Sequence, residues 1–168
     1  MRPLNRMGGG YMRITRKDVL LCSRLRENGR ETLTRMSKKT GIPVSTLYDR
    51  MQIHKGGLIK GFTSIIDFTA LGYAVRANLL VKANYYDRER IRTFLEGAYC
   101  ANTVQQLNNA YDFIAECVFR SIDELEAFKK RLYEAGKIEQ LDVFIVVSDI
   151  KREAFLRGPD LALMHVKV

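Results

Sequence analysis

The sequence predicts an α+β chain: an N-terminal winged helix-turn-helix domain followed by a ferredoxin-like βαββαβ domain. Three observations point there. Two short amphipathic segments flank Gly41, and beyond residue 74 the rhythm changes to strand, helix, strand, strand, helix, strand. The charge is divided in the same way. Residues 1–73 carry 14 Lys/Arg against 5 Asp/Glu and residues 74–168 carry 14 of each, so the net +9 resides with the paired helices.

Residues 1–14 read as a flexible basic tail containing Gly8-Gly9-Gly10. Thr15-Arg16-Lys17-Asp18 is a capping box, in which each end satisfies an orphan amide of the other. Val19, Cys22 and Leu25 follow at helical spacing, with Leu21 flanking them, until Gly29 stops the helix. Thr32 caps a second helix through Leu33, Met36 and Thr40, which Gly41 breaks. Pro43 opens a third, with Val44, Leu47 and Met51 on one face, which Gly56-Gly57 ends. The first helix is expected to pack behind this pair. The third then presents its outer face at a width that suits a DNA major groove. Leu58 to Phe62 begins an extended wing, Thr63 to Asp67 looks like a strand, and Ala70-Leu71-Gly72 closes the domain. The expected divisions are 15–61 for the winged helix-turn-helix, 62–73 for wing strand and linker, 74–152 for the ferredoxin-like domain and 153–168 for a C-terminal extension.

In the second half Ala77, Leu79 and Val81 alternate as a strand, and Asp87 caps a helix with Ile91, Phe94, Leu95 and Ala98 inward. Strands around Thr103–Leu107 and Phe113–Phe119 meet across Asn108-Asn109-Ala110, a credible hairpin turn. Ser121-Ile122-Asp123-Glu124 is a second capping box, opening a helix with Ile122, Leu125, Phe128 and Leu132 inward. Gly136 ends it, and Leu141 to Val147 forms the last strand. A sheet with helices on one face should alternate apolar and polar residues. Here Phe144, Val146, Ile114 and Val118 load the second face as well. At ~25 cal/mol per Å² of apolar surface, leaving them wet would forfeit several kcal/mol. A second subunit in a two-fold dimer would cover that face; a lid from Phe155 to Val168 is the alternative.

No apolar run approaches the ~18–20 residues that span a bilayer, and the basic start lacks the apolar core of a secretory signal. Cys22, Cys100 and Cys117 are odd in number and widely spaced, as expected of reduced thiols in the cytoplasm. With His54 and His165 they offer no metal-ligand spacing, and neither histidine has the context of a catalytic base, so no metal, cofactor or enzymatic activity is expected.

The expected partner is double-stranded DNA. Ser45, Thr46, Tyr48, Asp49, Arg50 and Gln52 are the non-core positions of the third helix. Arg50 can pair bidentately with guanine and Gln52 with adenine. A solvated polar face is the bland reading of the same residues, and Asp49 is expected to orient Arg50 rather than touch DNA. Arg35, Lys38, Lys39, Lys55 and Lys60 are placed to neutralise phosphates, and Thr34 to hydrogen-bond one. Arg2, Arg6, Arg13 and Arg16 could add an arm.

Gly61-Phe62-Thr63-Ser64-Ile65-Ile66-Asp67 followed by Ala70-Leu71-Gly72-Tyr73 resembles the wing-to-linker signature of the Lrp/AsnC (feast/famine) regulators. Glu27-Asn28-Gly29-Arg30, Met36 to Ile42 and Ala110-Tyr111-Asp112-Phe113 are similar to further parts of that family, so the resemblance runs from about Arg16 to Phe155. It implies a transcriptional regulator, dimeric or higher in assembly, whose second domain binds an amino-acid effector. The family-matched effector positions are Asn108, Asn109, Ala110, Tyr111 and Asp112, with the Asp112 carboxylate on the ligand ammonium. Alternatively, Asp112 organises the turn and Tyr111 packs at a subunit interface. Two departures stand out. The stretch between Met51 and Gly57 is one residue short and places His54 where the family continues its apolar stripe with leucine. Asn109 replaces a turn glycine, and asparagine tolerates positive φ. An architectural DNA protein with little sequence preference is the alternative function.

Overall fold

The computed structural model describes residues 13–158 and Met164. Most of the basic tail, with Arg2 and Arg6, and much of the C-terminal extension lie outside the described residues. The chain divides into two compact units, one formed by residues through Ile65 together with Lys151–Val168, the other by Ile66–Ile150.

The first unit holds α1 (Arg16–Glu27), α2 (Leu33–Thr40) and α3 (Val44–His54). Asp18 closes the start of α1 by accepting from the Thr15 amide at 2.7 Å and the Thr15 hydroxyl at 2.6 Å. Thr32 caps α2 by accepting from the Arg35 amide, and Gly41 ends it at φ +71°, a left-handed conformation that glycine adopts without a Cβ penalty. Leu21, Met36, Ile42 and Leu47 form the core, with Leu20, Leu25, Leu33 and Met51 packed against it. Leu21 is therefore central rather than flanking. Val44, expected inward, is 41 % exposed: it opens α3, one turn before the stripe reaches the core.

The expected wing is reduced to a tight turn. The His54 carbonyl accepts from the amides of Gly57 (3.1 Å) and Ile59 (2.9 Å), and Lys55 and Ile59 form an isolated bridge. Residues 63–67 form no strand, because a strand needs a ladder partner and the chain supplies none there. Phe62, Ile65 and Ile66 remain exposed. Most of Phe155 to Val168, the alternative cover for the sheet, lies outside the described residues. Its described part groups with the first unit, where Arg26 pairs with Glu153 at 2.6 Å and donates to the Phe155 carbonyl at 3.1 Å.

The second unit holds β1 (Val75–Ala83), α4 (Arg88–Glu96), β2 (Ala101–Gln106), β3 (Phe113–Phe119), α5 (Ile122–Ala135) and β4 (Ile138–Ile145). The sheet runs β2-β3-β1-β4, and every pairing is antiparallel. Leu79 pairs with Ala115 on one side and Val143 on the other, so these side chains share the face that α4 and α5 cover. Ile91, Leu95, Leu125, Phe128 and Leu132 fill the interior from the helices. Ile122 was expected to join them but is 53 % exposed in the first turn of α5. The opposite face carries half-buried Leu80, Ile114 and Val118, with Phe144 57 % exposed.

Candidate nucleic-acid interface

A helix advances about 100° per residue, so the sequence of α3 fixes which side chains share a face. Leu47 and His54 are buried; Ser45, Tyr48, Asp49 and Gln52 are exposed together on the opposite side. Thr46 and Arg50 lie at the boundary, half-buried. The outward face thus contains Ser45, Tyr48 and Gln52 from the predicted set, while Arg50 is turned toward the protein. Its Nη1 lies 3.5 Å from Asp18 Oδ2, and its side chain is 29 % exposed. Asp49, expected to orient it, is exposed; the acid beside Arg50 is Asp18, from α1.

Asp18 is fully buried and accepts from His54 Nε2 at 2.8 Å, in addition to its two bonds from Thr15. Burial alone would raise the carboxyl, but the bonds from Thr15 and His54 hold it below the usual carboxylate range. His54 is therefore a buried partner of Asp18 and stands apart from the exposed face of α3. The buried acid on α1 supplies the polar partner that a buried histidine needs.

A second acid, Glu31, half-buried as a residue but with an enclosed side chain, organises the cations around α2. The Glu31 side chain is 2 % exposed and receives two donor nitrogens of Arg24 (Nε at 2.9 Å and Nη2 at 2.8 Å), Lys39 Nζ at 2.7 Å and, more distantly, Arg35 Nε at 3.7 Å. Lys39 foremost, against the effect of burial and with help from Arg24, holds the Glu31 carboxyl below its ordinary range. Lys39 and Arg35, predicted phosphate ligands, thus share their charge with Glu31, although both retain exposed surface. Thr34, Lys38, Lys55 and Lys60 are exposed, with Lys60 Nζ at 3.5 Å from the Gly56 carbonyl. Asp18 and Glu31 were not read from sequence as organisers of this surface. The signal was present in the unusual His54, which needs a polar partner if buried.

In the second unit the predicted effector positions follow the hairpin. Asn108, Asn109 and Ala110 are exposed, and neither asparagine has positive φ, so the turn does not use that tolerance. Asp112 is buried and occupied: its carboxylate accepts from the Ala83 amide at 2.9 Å and pairs with Arg88 Nη2 at 2.8 Å and Lys82 Nζ at 3.8 Å. Its backbone amide donates to Val81 O and its carbonyl accepts from Leu107 N. The Tyr111 hydroxyl donates to Asp142 and accepts from Gln140 Nε2 at 2.8 Å. The Asp142 carboxylate pushes that hydroxyl above its usual range, keeping it a donor. Among the described residues no group of His, Cys, Asp or Glu could hold a metal, and no helix is long and apolar enough to cross a membrane.

No family model matches the chain. The HTH-type transcriptional regulator FL11 of Pyrococcus horikoshii is 29 % identical over 128 residues, covering 76 % of this chain and 85 % of that protein. Among solved structures, a transcriptional regulator from Neisseria meningitidis in complex with L-Met superposes with a TM-score of 0.76 at 17 % identity, covering 83 % of this chain and 94 % of that one. E. coli AsnC superposes with a TM-score of 0.73 at 20 % identity, covering 84 % and 97 %.

Proposed function

We propose that this chain is an HTH-type transcriptional regulator of the Lrp/AsnC family that reads its operator with Ser45, Tyr48 and Gln52 of α3 while Lys38, Lys55 and Lys60 neutralise flanking phosphates. The observation that carries this assignment is the polar outer face of α3 beside exposed cations in the unit that holds the excess positive charge. Gln52 suits bidentate pairing with adenine, and Ser45 and Tyr48 add shorter contacts to base edges or phosphates. Selection of bound sites from a random DNA pool tests it. A short, symmetric consensus with a steep fall of affinity in salt is expected. Long periodic protection without a consensus, or a flat salt response, would overturn it.

The regulator works as a dimer or larger assembly, in which a second copy covers the open sheet face carrying Leu80, Ile114, Val118 and Phe144. The L-Met complex of the Neisseria neighbour supports an amino-acid effector in this chain too. The effector meets the hairpin Asn108–Asp112 under a constraint particular to this sequence. Its ammonium must compete for Asp112 with Arg88 and the Ala83 amide, so the exposed turn Asn108–Ala110 offers the first contact. A thermal-shift screen of the amino acids decides the point, since a ligand that binds only the folded state raises the melting temperature.

A further inference from the structure

We infer that Asp18 is the positioning residue of the recognition helix: from α1 it latches the end of α3 through His54 and holds Arg50 on the protein side, leaving base reading to the outward face. The inference rests on the DNA-binding reading above for its functional consequence, and on the geometry of the first unit for the latch itself.

The carboxylate divides its two oxygens between two tasks. Oδ2 accepts from the Thr15 amide and hydroxyl at 2.7 and 2.6 Å, which fixes Asp18 to the first turn of its own helix. Oδ1 accepts from His54 Nε2 at 2.8 Å, thirty-six residues away in sequence. Arg50 Nη1 approaches Oδ2 at 3.5 Å, and Arg50 and His54, four residues apart, rise from the same side of α3. Asp18 is wholly buried and His54 is 2 % exposed, so water cannot substitute for either partner. An unpaired charge in that position is costly, which makes the geometry strongly preferred over a rotated α3. An apolar residue at position 54 would pack without choosing a rotation; a hydrogen bond chooses one.

The latch also reaches the turn beyond the helix. The carbonyl of His54 accepts from the amides of Gly57 and Ile59, so the residue held by Asp18 anchors the loop that carries Lys55 and Lys60. One buried carboxylate thereby sets both the angle at which Ser45, Tyr48 and Gln52 are presented and the place of the two lysines after them. Arg50 gains the opposite role from the one its chemistry suggests. It neutralises Asp18 from the protein side instead of reading guanine.

The test compares His54→Leu, His54→Gln, Arg50→Ala and the unaltered full-length chain in two measurements. In selection from a random DNA pool, His54→Leu is expected to reduce the ratio of specific to random-sequence affinity by about tenfold or more, with the salt dependence retained. His54→Gln, which keeps a donor, is expected to restore much of the ratio. Arg50→Ala is expected to leave both the base preference and the salt slope intact, because Arg50 is held away from bases and phosphates. Relaxation at one base position in Arg50→Ala would make Arg50 a reader and overturn the assignment. Undiminished selectivity in His54→Leu would overturn it as well. The second measurement needs no DNA: exchange of the Gly57 and Ile59 amides should accelerate in His54→Leu and recover in His54→Gln. Unchanged exchange refutes the latch even if the unaltered protein selects no site, whereas absent selection with accelerated exchange refutes the DNA reading alone.

Discussion

Glu31→Gln removes the charge around which α1 and α2 assemble their cations, and its cost can be worked from the geometry. The Arg24 guanidinium side chain is 10 % exposed and the Glu31 side chain 2 %, so their bonds are largely shielded from water. Removing one partner of a buried pair costs about 3–5 kcal/mol when the other charge is left alone. Arg24 is not left alone, since Glu27 also binds its Nη1, and the glutamine oxygen still accepts one bond. These reduce the loss to about 2–3 kcal/mol, the scale of a hydrogen bond to a charged group. Lys39 and Arg35 add little, because their side chains are 42 % and 70 % exposed and exposed pairs contribute under ~1 kcal/mol each. The Arg24 pair therefore dominates.

For a small unit, each kcal/mol moves the midpoint by roughly 4–8 °C, so the helical unit should melt about 10–20 °C lower at pH 7. Thermal unfolding by circular dichroism measures the shift, and hydrogen exchange on α1–α3 assigns it to that unit. The pH dependence carries a definite sign. Lys39 and Arg24 hold Glu31 below its ordinary range. Its stabilisation is thus complete above the unfolded carboxyl's pKa, near 4.3, and is lost as pH falls through the lower folded value. The gap between native and Glu31→Gln proteins should be full at neutral pH and close progressively below about pH 4. Equal midpoints at pH 7, or a gap that widens in acid, would refute this account.

Three further outcomes are expected. Gln52→Ala should relax base preference at one position per half-site, whereas Lys60→Ala should weaken every sequence alike and lower the salt slope by about 1, both read by titration on selected and random DNA. Phe144→Glu, on the open face of the sheet, should shift sedimentation mass toward the monomer; an unchanged mass would place the subunit contact elsewhere. Gly136→Ala brings a Cβ to 2.9 Å from Asp87 Cβ and 3.2 Å from Ile91 Cδ1, an overpacking that should cost about 1–3 kcal/mol in urea unfolding.

What sequence made legible was local. The caps at Thr15, Thr32 and Ser121 and the alternation of β1 and β3 each concern residues a few positions apart, and the structure places helices and strands where those signals lie. Positions at the first turn of a helix were misread, because Val44 and Ile122 share the periodicity of the buried stripe but precede the contact that buries it. The segment 63–67 has strand composition yet no strand, since pairing is a property of two segments and not of one. The placement of Arg50 has a similar cause. Its helix position and chemistry suit guanine, but the acid that draws it inward stands thirty-two residues earlier.

The same distance effect changes the meaning of the charge that marked the first domain. Counting 14 basic against 5 acidic residues treats the acids as a small subtraction from a uniformly positive surface. In the folded unit two of those acids have side chains shut away from water, and they act selectively: Asp18 engages His54 and Arg50, while Glu31 engages Arg24, Lys39 and Arg35. Asp18 holds Arg50, whose chemistry suits guanine, and Glu31 holds Arg35 and Lys39, whose positions suit phosphates. Of the cations of α2, α3 and the turn after it, Lys38, Lys55 and Lys60 remain outward. Salt dependence should therefore report a few phosphate contacts rather than the full excess, because counterions are released only by charges that reach the backbone of the DNA. For Arg35, Lys39 and Arg50 to add to the slope they would have to leave their carboxylates on binding, so that Asp18 kept only Thr15 and His54 and Glu31 only Arg24, a loss that DNA must offset.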